Sequence, residues 1–222
     1  MPAFNAATYI DDAIASALHQ TMTDLEVIVV DDGSTDATHA VMRAWSERDP
    51  RVVCVRQANR GISAARNVAL ARSRGRFIAL LDSDDEWAPG FLETQLAVFA
   101  EQPDAGVVTA NVVHRGGSHD GELMWPPFTH PRVLHLHDLL AHETSVCIMS
   151  VFRREVFEAI GGFDVTLRCN EDYQFWLRAA LAGFAIVQSP SPQGIYRRRP
   201  DSVSADQGFS ASATLASTPA SP

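Results

Sequence analysis

Two short apolar runs, each ending in a cluster of carboxylates, constrain this chain more than any other feature. "LEVIVV" (25–30) stops at "DDGSTD" (31–36), and "RFIALL" (76–81) stops at "DSDDEW" (82–87). A continuous β-branched run of this length is the pattern of a strand covered on both faces, as in a parallel sheet. Between and around these runs the period turns helical. In residues 6–20, Ile10, Ile14 and Leu18 share one face, with Thr8 as the expected N-cap. A helix follows over about 37–47, then the strand "RVVCVRQ" (51–57). "NRGISAARNVALARSRG" (59–75) reads as a glycine turn, an N-cap at Ser63, a helix and a stop at Gly75. This alternation predicts an α/β fold with a doubly wound, mostly parallel central sheet flanked by helices. Ligands of such sheets bind beyond the carboxyl ends of the strands, so both acidic clusters are expected in one crevice.

Downstream, 105–114 reads as a strand and 136–142 as a short helix. Residues 145–163 read as a strand running into a helix that ends at a glycine pair. Residues 171–184 form an amphipathic helical pattern and "AIVQSP" (185–190) a closing strand. Residues 207–222 are small and polar without period and are expected to be a disordered tail. One expectation concerns the start. The first strand of a doubly wound sheet lies in its middle, yet "MPAFN" reads as the loop before the first helix, so the central strand is expected to be missing.

Composition narrows the function. A chain of 222 residues with 46% hydrophobic residues supports one large globular domain. A net charge of -9 argues against nucleic acid as a partner. No lysine occurs, which removes P-loop and Schiff-base chemistry. It also counts against a receiver-type signalling domain, which needs a lysine opposite its acidic pair. Cys54, Cys147 and Cys169 form no CxxC pair and fit a reducing, cytoplasmic setting. No apolar run approaches a membrane span and no signal peptide is evident. Association with the inner face of a membrane stays open.

Three motifs carry the chemistry, each with a plain alternative. In "LLDSDDEW", crowded carboxylates raise one another's pKa unless a cation neutralises them, and hard oxygen donors select Mg²⁺ or Mn²⁺. A solvated acidic turn is an equal reading of the motif alone, whereas an EF-hand lacks its glycine and its twelfth-position acid. In "VVDDGSTD", Asp32 is expected to face the crevice, where it can accept from the N3–H of a pyrimidine; the alternative is a turn that caps the next helix. In "NEDYQFW", Glu171 and Asp172 open a helix, where carboxylates complement the dipole and one can serve as general base. His135, His137 and His142 match no standard zinc spacing. Trp125 and Trp176 are candidate sugar-stacking rings, with core packing the stronger reading for Trp176.

Together "PAFNAATYI", "DLEVIVVDDGSTD", "NRGISAARNVAL", "RGRFIALLDSDDEW", "GGFD" with "NEDYQFWLRAALAGF", and "YRRRPDSVS" resemble the family 2 glycosyltransferases, which have the GT-A fold. The resemblance implies a domain over 1–206, with a nucleotide-binding half to about 110 and an acceptor half beyond it. It implies an inverting transferase that moves a sugar from a nucleotide-diphosphate sugar, most commonly a UDP-sugar, to a glycan or lipid-linked acceptor in cell-surface polysaccharide synthesis. Pro2, Ala3, Phe4 and Asn5 would enclose the base with Phe4 stacked on it, and Asp32 would accept from the base. Gly61 and Arg66 would lie along the nucleotide. Asp82 and Ser83 would lie by the ribose and metal shell, and Asp84 would hold Mn²⁺ or Mg²⁺. Asp172 would be the general base. Arg199 stands where many relatives carry a metal-binding histidine and would pair with the diphosphate instead. The competing expectation is a nucleotide-sugar-binding relic without catalysis.

Overall fold

The structure, a computed structural model, describes residues 1–198; Arg199 and the 207–222 tail lie outside the described residues. β2 (Val27–Asp31) sits between β1 (Pro2–Ala3) and β3 (Val52–Arg56) in a parallel three-stranded sheet, with Pro2 opposite Val30 and Cys54 opposite Val29. All five β2 residues are buried. Val27 and Val29 pack with α1 (Ile10–Leu18) and α2 (Thr38–Arg48) through Ile14, Leu18 and Met42. Ile28 and Val30 pack on the other face against Ala65 of α3 (Ile62–Arg72). Helices on both faces are the reason this strand has no polar alternation.

β4 (Phe77–Ala79) does not join that sheet. It is one edge of a second, mixed sheet that continues through β8 (Ser150–Arg153), β6 (Ala105–Arg115), β9 (Ala185–Arg197) and β5 (Glu86–Trp87), with β7 (Arg132–Leu134) also paired to β9. β6 and β9 run parallel, and the other pairings are antiparallel. α4 (Phe91–Glu101), α6 (Arg154–Ile160) and α7 (Glu171–Leu181) cover this sheet, and α5 (Leu136–Ala141) lies against α7. Phe152, Phe175 and Trp176 form its aromatic centre, all fully buried, so Trp176 is a core residue. Trp125 is buried too, donates from Nε1 to the Thr144 carbonyl, and is not among the residues that line the crevice described below.

The doubly wound alternation thus holds through the first three strands, and the remaining strands build a mixed sheet beside them. Between the two sheets, with β1 and β2 on one side and β4 on the other, lies a cavity of about 650 Å³. Among the described residues no helix is long and apolar enough to cross a membrane.

Four local expectations are corrected. Pro2–Ala3 is a strand rather than a loop, because Asp32 N–H donates to the Ala3 carbonyl and Val30 N–H to that of Met1. Thr8 does not cap α1; Tyr9 holds that position without a side-chain bond. The cap of α3 is Gly61 at φ 90, and Ser63 sits inside the helix with a buried hydroxyl. The closing strand runs on past Pro190 and Pro192 to Arg197, because the β6 pairing is irregular around Ala110 and Asn111 and tolerates residues without an N–H there.

Candidate active site

The turn after β2 organises the amino-terminal loop through side chains. Ser34 Oγ accepts from Asn5 N–H, Thr38 Oγ1 from Ala6 N–H at 2.7 Å, and Asp36 from Ala7 N–H, while Asn5 Oδ1 accepts from Thr35 N–H. The amides of residues 5–7 are therefore satisfied by Ser34, Asp36 and Thr38 rather than by side chains of the loop itself. This loop holds Phe4 with its ring about half exposed on a crevice of about 780 Å³.

Asp31 and Asp32 divide the labour of that turn. Asp31 is buried, accepts from Ser34 N–H at 2.8 Å and pairs with Arg56 and His39. Asp32 accepts from Gln57 Nε2 at 2.7 Å, Arg60 N–H at 2.9 Å and Gly61 N–H at 2.8 Å. Three fixed donors bind this carboxylate to the loop before α3, although it also lines the crevice. Gly33 permits the close fit: its φ is 78, and a Cβ there would stand 2.8 Å from the Asn59 nitrogen.

The turn after β4 is less evenly satisfied. Arg66 is buried and forks Nη2 onto Asp82 at 2.8 and 3.1 Å while Nη1 bonds Glu171. Asp85 is buried and accepts from Arg197 N–H at 2.8 Å, and Arg197 Nε donates to the Asp84 carbonyl. Burial pushes the Asp85 carboxyl well above the ordinary range, with Asp82 and Asp84 adding to the shift. Asp172, in the first turn of α7, is half-buried at the crevice wall. Desolvation and the neighbouring Glu171 raise it to about 6 against the opposing pull of Arg66.

Pro2, Ala3, Phe4, Asn5, Asp32, Gly61, Arg66, Asp82, Ser83, Asp84 and Asp172 all line this one crevice. Sequence reasoning missed Glu171 as the second anchor of Arg66, and it missed Asp85 and Arg197. The acidic residues were visible, but their partners lie 105 and 112 residues away in the chain. The histidines form no centre: His135 N–H donates to Asp138 at the start of α5, and its ring stacks on His137.

The donor set also bears on a metal. Among the described residues no group of three or more His, Cys, Asp or Glu side chains could hold one alone. Mg²⁺ and Mn²⁺ sites on diphosphates use one or two carboxylates and take the remaining oxygens from phosphate and water. Asp84, with Asp82 beside it in the same turn, fits that smaller demand.

The sequence profile described as "Glycosyl transferase family 2" matches residues 1–161. The chain belongs to this glycosyltransferase family. It is 32% identical to TuaG of Bacillus subtilis, named as a teichuronic acid biosynthesis glycosyltransferase, over 96% of this chain and 83% of that one. The shares of other curated relatives that it spans fall as low as 14%. Its GT-A fold is that of TarS 1–349 from S. aureus in complex with UDP-GlcNAc, with a TM-score of 0.77 at 23% identity over 92% of this chain and 59% of that one. The mannosyltransferase PcManGT from Pyrobaculum calidifontis, in complex with GDP-Man and Mn²⁺, shares the fold with a TM-score of 0.66 at 24% identity over 88% and 55%.

Proposed function

We propose that this family 2 chain is an inverting glycosyltransferase domain that transfers a sugar from a UDP-sugar to an acceptor hydroxyl in cell-surface polysaccharide synthesis. The observation that carries the reading is the single crevice joining an exposed aromatic ring at Phe4, an acidic strand end at Asp82–Asp84 and a carboxylate at Asp172 raised to about 6. The three serve base stacking, diphosphate binding and proton acceptance, and a transferase needs all of them at once.

Phe4 stacks on the base, and the "PAFN" backbone encloses its edge. Asp32 secures the 60–61 loop along the nucleotide and keeps lone-pair capacity toward the base. Asp84 would hold a divalent ion, and such an ion would supply charge stabilisation for the leaving group. Residues 1–110 thus hold the donor, and Glu143, Arg168 and Tyr173 on the opposite wall face the acceptor.

Asp172 draws the proton from the acceptor hydroxyl. That oxygen bonds to the anomeric carbon while the bond to the diphosphate breaks, and the diphosphate leaves with the electron pair. A carboxylate raised to about 6 is still ionised at neutral pH and is a stronger base than an ordinary aspartate. One base and one displacement invert the anomeric centre. Arg198, exposed on the crevice wall, is a described cation that can meet the diphosphate; the Arg199 assignment lies outside the described residues.

Calorimetry with UDP, with and without Mn²⁺, followed by UDP-sugar turnover assays, tests this reading. Metal-enhanced UDP binding that is lost in Asp84→Ala supports it. Binding without sugar transfer or hydrolysis for any UDP-sugar would reduce the chain to a nucleotide binder.

A further inference from the structure

The Gly-Gly-Phe turn (161–163) between α6 and α7 does not line the crevice, yet it is held as tightly as the crevice itself. Gly161 leaves α6 at φ 75, and Phe163 is buried. Asn67 of α3 clasps Phe163 at both backbone groups: its Nδ2 donates to the Phe163 carbonyl at 2.8 Å, and its Oδ1 accepts from the Phe163 N–H at 2.7 Å. From α7, Arg178 donates through Nη2 to the Gly162 carbonyl at 2.6 Å and through Nη1 to that of Ile160. The fit leaves no room for a side chain, because a Cβ at Gly162 would stand 2.3 Å from Asn67 Oδ1.

The ring that this clasp fixes touches both halves of the site. It stacks on Phe175 of α7 with centroids 4.6 Å apart, and the Arg66 guanidinium carbon lies over it, 5.3 Å from its centroid. That distance is within the range of a cation–π contact. Arg66 is the cation shared by Asp82 and Glu171, and its Nε has no hydrogen-bond partner among the described residues. With no acceptor at Nε, the ring supplies a fixed surface on which the fork lies. Adjacent residues of one helix thus do two jobs: residue 66 ties the acidic turn to α7, and residue 67 fixes the ring against which residue 66 rests. Asp84 is two residues from Asp82 and Asp172 is next to Glu171, so this one fork sets how far the acidic turn stands from the carboxylate at the start of α7.

We propose that Phe163 and Asn67 are positioning residues for sugar transfer: Asn67 pins Phe163, and the Phe163 ring aims the Arg66 fork that holds the base helix in register with the donor-binding turn. The proposal rests on the transferase reading above and gives the Gly-Gly-Phe turn its part in it. Neither residue reaches the reacting atoms, and each acts through Arg66. Arg66 and Asp82 belong to the donor half and stay joined when the ring is lost, whereas the tie to Glu171 crosses between the halves and slackens. Loss of the ring should therefore spare donor binding and slow the step that needs donor and base together.

Four variants test it: Phe163→Leu, Asn67→Ala, Gly162→Ala and the double variant of the last two. For each, kcat of transfer and the Kd of UDP with Mn²⁺ are measured. Hydrogen exchange is followed at the Gln174 amide, which closes a first-turn bond of α7 onto the Asn170 carbonyl, before and after UDP and Mn²⁺ are added. Phe163→Leu and Asn67→Ala are expected to lower kcat by about 10²-fold, the usual cost of a misplacement of about 1 Å, with the Kd of UDP unchanged. Gly162→Ala is expected to match Asn67→Ala, and the double variant to be no worse than either, because both changes unseat the same clasp. UDP with Mn²⁺ is expected to slow exchange at Gln174 in the wild-type chain and not in Phe163→Leu or Asn67→Ala. An unchanged kcat, a Kd that weakens in step with kcat, or losses that add in the double variant would overturn the proposal. If the wild-type chain binds UDP without transferring sugar, the exchange at Gln174 decides alone, and equal slowing in wild type and variants overturns it. A wild-type chain that binds no UDP overturns the transferase reading itself, and this proposal falls with it.

Discussion

The two acidic strand ends look alike in sequence and differ in how their charge is answered. At the end of β2, Asp31 and Asp32 are met by groups fixed in the fold: Ser34 N–H, Arg56 and His39 for the first, Gln57 and two loop amides for the second. At the end of β4, Arg66 is shared between Asp82 and Glu171, and Asp85 is buried with its carboxyl pushed up. The first cluster is a structural joint held by donors fixed in the fold, with the second Asp31 oxygen beside Arg56 and His39. The second leaves carboxylates crowded at the crevice, a charge that a divalent cation can answer. The donor count around a carboxylate therefore separates the two roles, and motif spelling does not.

The comparison breaks most sharply at the third acidic point, Asp172. Asp172→Asn is expected to lower transfer by about 10²–10⁴-fold, the usual worth of a positioned base, while UDP affinity holds; equal losses in binding would move Asp172 to the donor side. In the wild-type chain kcat should rise as pH passes through about 6, because only the ionised form accepts a proton. A flat profile across that range would remove the base assignment. Asp84→Ala should cost about 10²–10³-fold in turnover, comparable to the loss of one transition-state stabiliser, with its urea midpoint unchanged. Asp32→Ala should do the reverse in kind: a stability loss of about 2 kcal/mol from three stranded donors, read as a lower urea midpoint, and faster exchange at Arg60 and Gly61. If Asp84→Ala unfolds the chain and Asp32→Ala does not, the two ends have been assigned the wrong way round. Phe4→Ala is the mildest, weakening UDP by about tenfold through lost stacking and leaving the fold intact.

Much of this was legible in the chain because it is local. The apolar run of β2 follows from helices on both its faces, and the stripe at Ile10, Ile14 and Leu18 is the buried face of α1. The acidic turns at Asp31–Asp32 and Asp82–Asp85 were legible because strand ends are the fixed reference points of such a sheet, whereas Phe4, Gly61 and Arg66 were placed by the family resemblance. What escaped depends on distant partners. Thr8 loses the capping role because Ser34, Asp36 and Thr38, about thirty residues on, fix a turn at 5–7 whose Ala6 carbonyl accepts from both Tyr9 and Ile10 N–H, so the helix starts after Tyr9. β9 outruns its prolines because β6 pairs irregularly beside them. Arg197 braces the acidic turn through contacts that no window of sequence contains.

Asp32 also limits how the crevice can change over evolutionary time. The carboxylate proposed to face the base is the same one that moors residues 60–61. A substitution that altered base preference at this position would set that loop adrift in the same step. Drift toward another nucleotide is therefore easier at Phe4 or along the "PAFN" backbone, where a change of contact leaves the joint intact.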